Sequence, residues 1–143
     1  MVTEDVAEIL VERLADGLRI CPQAAADALK AIVEEARRRA GAGDFLSIRD
    51  LADRADDVVE QVKAEAGLHL STGQHGSDKR LATLATLAQQ VFAVLAIMGG
   101  SGGERDSGYY RASLAHARRL DAMTEGALGL VKLVNLVGRA EDW

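Results

Sequence analysis

Aromatic residues, proline and cysteine are scarce in this 143-residue chain, and each scarcity excludes something. The five aromatics, Phe45, Phe92, Tyr109, Tyr110 and Trp143, leave few platforms on which bases or sugars stack. The core therefore has to be built from alanine, leucine and valine. One proline, Pro22, leaves helices almost uninterrupted. One cysteine, Cys21, rules out an internal disulfide and reads as a small buried apolar residue. The longest uninterrupted apolar run, Val91 to Met98, falls far short of the ~20 residues of a membrane span. The opening MVTEDVAE lacks the basic-then-apolar order of a signal peptide. A cytoplasmic location without a membrane partner is expected. There is no excess of basic charge either: the formal net charge is −5, concentrated in the first 70 residues at about −6, with the remainder at about +1. Such acidity opposes non-specific contact with phosphate backbones, so DNA is not an expected partner.

What is abundant is helix former, arranged at helical period. A first helix starts after Thr3 with Val6, Ile9, Leu10, Leu14 and Leu18 on one face, and stops between Gly17 and Ile20. Pro22 opens a second, which carries Ala25, Leu29, Ile32, Val33, Ala36 and Ala40. Arg37, Arg38 and Arg39 complement the dipole of its last turn, and Gly41 follows as C-cap. A third helix starts at Asp44 or Ser47, the latter with Asp50 in an approximate capping box, and runs to Gly67. The segment LHLSTGQHGS, 68–77, has loop composition, and a fourth helix runs from about Asp78 to Met98. The glycine-rich stretch 99–108 is a candidate flexible connector. A fifth helix covers about Ser107 to Ala122 and a sixth about Thr124 to Arg139; periodicity leaves open whether these are two helices or one kinked one.

The last segment is the most specific signal. Gly129, Lys132, Asn135 and Arg139 form one thin polar line, while leucine and valine fill the rest of the circumference. A helix apolar nearly all round has to be covered nearly all round, by its own chain or by a second copy. Gly126, Gly129 and Gly138 are expected to allow close backbone approach, since a helix-interior glycine costs about 1 kcal/mol relative to alanine.

Few patterns point to chemistry. In YYRASLAHARR, Arg111 and His116 are separated by four residues. That spacing resembles the signature of HEPN-family ribonucleases, small all-α domains that pair so that arginine and histidine from two subunits converge on an RNA phosphate. The resemblance covers about six residues of the chain, and Ala112 stands where the family commonly has a polar residue. It implies His116 as general acid or base toward the 2′-hydroxyl and Arg111 as stabiliser of the phosphorane charge. Glu34, Glu35, Asp50, Asp53, Asp57 and Glu60 form an acidic set. It is similar to the Mg²⁺-binding carboxylates of the all-α nucleotide pyrophosphatases related to MazG. That family's pair of glutamates three apart is missing, because Arg37 and Arg38 hold the positions three beyond Glu34 and Glu35. The same stripe is also what a solvated helix face looks like. His69 and His75 lack a metal-ligand pattern, and the glycines of GQHGSDKR lack Walker A spacing, so Ser77 reads as an N-cap there. Arg37–Arg39, with Arg118 and Arg119, is the densest basic cluster, yet the third helix presents carboxylates where a recognition helix would need polar or basic side chains.

The expectation is thus one all-α domain over 1–143, a compact bundle of five to six helices with short loops, the fourth and sixth inside. Its expected function is protein–protein interaction: a small oligomeric adaptor or accessory subunit, pairing with itself or a protein partner. Leu130, Leu133, Val134 and Val137 are the expected interface. No metal and no cofactor are assigned. The alternative is a HEPN-like, metal-independent ribonuclease acting as a dimer on RNA through Arg111 and His116.

Overall fold

The computed structural model describes residues 3–66, 79–101 and 107–140, with side chains described over 6–65, 83–98 and 111–135. Six helices and no strand occur among these residues: α1 (Thr3–Ile20), α2 (Pro22–Gly41), α3 (Phe45–Ala66), α4 (Lys79–Ser101), α5 (Ser107–Met123) and α6 (Leu130–Ala140). The fold is all-α, as the periodicity predicts. The candidate connector shrinks accordingly, because 99–101 belong to α4 and 107–108 to α5, while 102–106 lie outside the described residues.

One residue separates α1 from α2. A residue before proline is pushed out of the helical region, and Cys21 is extended at φ −145 and ψ 111. It therefore breaks α1, and Pro22 begins α2 without wasting a donor. The turn is held by Cys21 N–H donating to the Gly17 carbonyl at 2.8 Å and Ala25 N–H donating to the Cys21 carbonyl at 3.1 Å. Cys21 is exposed, not buried as composition led one to expect. The first helix ends at Ile20, within the expected 17–20, and Gly17 is a packing residue: it is buried within α1, and a Cβ added there would lie 2.3 Å from the Ala25 nitrogen.

The end of α2 is a Schellman motif whose glycine comes two residues later than the sequence reading placed it. Asp44 N–H donates to the Arg39 carbonyl at 2.9 Å and Gly43 N–H to that of Ala40 at 3.0 Å, with Gly43 at φ +77. Gly43, not Gly41, takes the left-handed position. Asp44 then caps α3, its Oδ1 accepting from Ser47 N–H at 3.3 Å. Asp50 takes no part in a capping box and pairs instead with Arg54 at 3.1 Å.

The loop Thr124–Gly129 settles the question of one helix or two. Thr124 directly follows α5 and closes its last turn rather than starting α6; its Oγ1 donates to the Leu120 carbonyl at 2.8 Å. A second Schellman motif follows, with Gly126 N–H on the Asp121 carbonyl at 2.7 Å and Glu125 N–H on that of Ala122 at 3.4 Å. Here the left-handed position is held by Glu125, at φ 54. A side chain there crowds its own carbonyl. Glu125→Gly is expected to raise stability by about 1 kcal/mol, read as a rise of a few degrees in melting temperature. A lower melting temperature would mean that the turn has a different shape.

Gly126 (φ 79) and Gly129 (φ 64) serve this loop and are not helix-interior contacts, which corrects the sequence reading of both. Having no side chain, Gly129 cannot cap α6. Asp121 does so from α5, accepting Leu130 N–H on Oδ1 at 2.9 Å and Val131 N–H on Oδ2 at 2.8 Å. The Gly129 carbonyl accepts from Arg37 Nη2 at 3.2 Å, tying α2 to the start of α6.

Alanine, leucine and valine dominate the core, as composition requires. Ile32, Val33 and Ala36 of α2 meet Ile48, Leu51 and Val59 of α3 and Val91, Phe92 and Leu95 of α4, all with essentially no exposure. The inside helices are α2, which packs on α1, α3, α4 and α6, and α4, which packs on α1, α2, α3 and α5. The expectation holds for α4, while α6 packs among the described residues on α2 and α5, with Leu130, Leu133 and Val134 buried. No described helix is long and apolar enough to cross a membrane.

Candidate functional site

Three of the four expected interface residues belong to the chain's own core. Leu130 and Leu133 are at 0% exposure and Val134 at 1%. They have no surface left for a partner. The side chain of Val137 lies outside the described residues. Lys132 and Asn135 are exposed, so the thin polar line does mark the outer side of α6 over its described part.

Arg111 and His116 both lie on α5 and both face solvent. Five residues apart, they are separated by about 140° around the helix axis. Their side chains diverge, and a single chain does not bring them to one phosphate. Any joint site needs a residue from a second copy.

Asp50, Asp53, Asp57 and Glu60 are exposed along α3, with Arg54 on Asp50, Arg49 on Asp53 at 3.9 Å and Lys63 on Glu60 at 3.4 Å. Among the described residues no group of three or more His, Cys, Asp or Glu is placed to hold a metal ion. Asp56, which the sequence reading passed over, sits half-buried beside this stripe. Burial, then the charges of Glu60 and Asp57, push its carboxyl above the usual aspartate value. His69, His75 and Ser77 lie outside the described residues.

The arginine cluster is neutralised where it stands. Arg37 Nη1 meets Glu34 Oε1 at 2.6 Å, and Glu35 accepts from both Arg38 and Arg39, from the latter at 2.9 Å. Arg39 also donates from Nη1 to the Ser47 carbonyl at 2.9 Å, joining the end of α2 to α3. A recess of about 280 Å³ is lined by Arg38, Arg39, Asp44, Asp50 and Arg54, and its three arginines are already paired, with Glu35 and Asp50.

Glu35 is buried, and the hydrogen bond from Arg38 is the main cause that holds its carboxyl below the usual glutamate value of 4.5; burial opposes this and Arg39 adds to it. A folded-state value below the unfolded one gives stability that is present above pH 4.5 and lost as pH falls through the lowered value. Glu35→Gln is expected to cost about 2 kcal/mol at neutral pH, because Arg39 keeps its burial but loses its anion. The loss relative to the parent should shrink in acid urea melts; a pH-independent difference would mean that Glu35 acts through packing alone.

What the sequence reading missed is a groove of about 410 Å³ at the corner of α1 and α2, directly over the Gly17 contact. Ile20, Ala24 and Ala31 supply its apolar lining, and Arg13, Asp16 and Asp27 its charges. Ile20 is 81% exposed, the most exposed large apolar side chain described. The signal was present in the sequence as an isoleucine between Arg19 and the Cys-Pro break, off the stripe of Leu10, Leu14 and Leu18. Comparison with protein-family models, with curated proteins and with solved structures returns no match, so the functional reading rests on this geometry.

Proposed function

We propose that this chain is a protein–protein interaction module, a small oligomeric adaptor or accessory subunit, and that it pairs with a second copy through the α1–α2 groove. The observation that carries the reading is Ile20, at 81% exposure the most exposed large apolar side chain described, beside an open apolar recess. The groove carries charges of both signs, Arg13 against Asp16 and Asp27. A two-fold pairing of such a patch sets each cation against a carboxylate of the other copy. This moves the expected seam from α6 to the α1–α2 corner.

Sedimentation velocity on the parent and on Ile20→Glu tests it. The parent is expected to sediment as a dimer and the variant as a folded monomer with unchanged helicity. A dimer that survives the substitution contradicts the groove; a monomeric parent contradicts self-association altogether.

The ribonuclease reading keeps one favourable observation, the exposure of both Arg111 and His116. Cleavage of single-stranded RNA by the parent, lost in Arg111→Ala and in His116→Ala, would establish it. An inert parent would leave the interaction module.

A further inference from the structure

The outer face of α5 is distinct from the groove and carries charge of one sign. Arg111, His116, Arg118 and Arg119 are all exposed there, while Ser113, Ala117 and Leu120 turn into the bundle. Among the other described arginines Arg19, Arg37, Arg38, Arg39, Arg49 and Arg54 each contact a carboxylate, and Arg13 on α1 stands alone. Among the described residues Arg111, Arg118 and Arg119 contact none. The one acidic side chain on α5, Asp121, is taken up by the amides of α6. Among the described residues this helix face thus groups three arginines without a carboxylate contact.

The floor between these cations is also unusual. At about 100° per residue, Arg111 and Arg118 fall on one edge of the exposed arc and His116 on the other, with Arg119 between them near the middle. The exposed residues within it are Ala112, Ala115 and Ala122, with Met123, 57% exposed, at the end. Small side chains let a second helix approach to the close end of the ~8–10 Å range of packed helices. A phosphate backbone would use the charges but not Ala112, Ala115 and Ala122, which offer no stacking surface and no side-chain donor or acceptor for a base.

We infer that the outer face of α5 docks an acidic helix of a partner protein, its small apolar residues seated on Ala112, Ala115 and Ala122 and its carboxylates flanked by Arg111, Arg118 and Arg119. The proposal goes beyond self-association through the groove and does not need it, since the two faces are on different helices.

The test uses a fluorescein-labelled, side-chain-stapled helical peptide with alanine along one face and glutamate on both flanks. Its lysine-flanked counterpart and a single-stranded oligouridylate serve as comparison probes in anisotropy titrations. The parent is expected to bind the glutamate peptide, more weakly as salt rises, and not the lysine peptide. Arg118→Glu with Arg119→Glu should weaken binding about tenfold or more. Ala115→Phe, which leaves the charge intact but blocks close approach, should weaken it similarly. Both variants alter exposed side chains, and unchanged circular dichroism confirms their fold. Binding that survives Ala115→Phe, tighter binding of the oligouridylate, or loss of self-association in the double arginine variant would overturn the proposal. The last result would show that the face docks a second copy instead.

Discussion

Replacing Gly17 with alanine is expected to destabilise the fold by about 3 kcal/mol, although intrinsic propensity alone would make the same change stabilising by about 1 kcal/mol. Gly17 lies inside α1, where alanine is the better helix former. The opposing effect is the crossing of α1 and α2. An added methyl would sit 2.3 Å from the Ala25 nitrogen, 2.6 Å from its Cα and 2.8 Å from the Ala24 carbonyl carbon. These are backbone atoms with no rotamer through which to escape, so the helices themselves would have to separate. The single-residue link through Cys21 leaves little slack for that. Packing wins, and the melting temperature should fall by roughly 10 °C. A variant as stable as the parent would mean that α1 and α2 do not cross there.

Val134→Glu should do more. Val134 is 1% exposed and belongs to the hydrophobic core cluster. Burying that charge should cost roughly 4 kcal/mol or more, a large share of the ~5–15 kcal/mol that holds a domain folded. The expected readout is loss of cooperative thermal unfolding, not dissociation of a stable fold. Ile20→Glu, an equal chemical change at an exposed site, should leave the melt intact. The reverse pattern, with Val134→Glu folded and monomeric, would return α6 to the role of an interface.

The periodic apolar positions are what made the six helices readable, since burial on one face leaves a mark every three or four residues. The breaks between helices were less readable because they depend on backbone angles. Gly41 and Gly43 are equivalent in composition, and only the position of the left-handed residue selects Gly43. The start of α6 was misplaced for a different reason: its cap is Asp121, nine residues upstream and on another helix. Periodicity carries no trace of such a contact. The leucine–valine segment did announce that it would be covered, but one sequence does not distinguish its own chain from a second copy as the cover. Likewise the arginines at 37–39 read as a basic cluster until the partners Glu34 and Glu35 were placed within reach, one turn back on the same helix. The α1–α2 groove is a product of the crossing over Gly17, which no local pattern encodes.

The central claim is that self-association occurs at the α1–α2 corner and leaves α6 as internal cover. Hydrogen–deuterium exchange at low and high protein concentration tests it in one measurement. Amides of residues 17–31 are expected to gain protection as concentration rises, while those of residues 130–134 stay unchanged. Concentration-dependent protection confined to α6, with none at the corner, would contradict it.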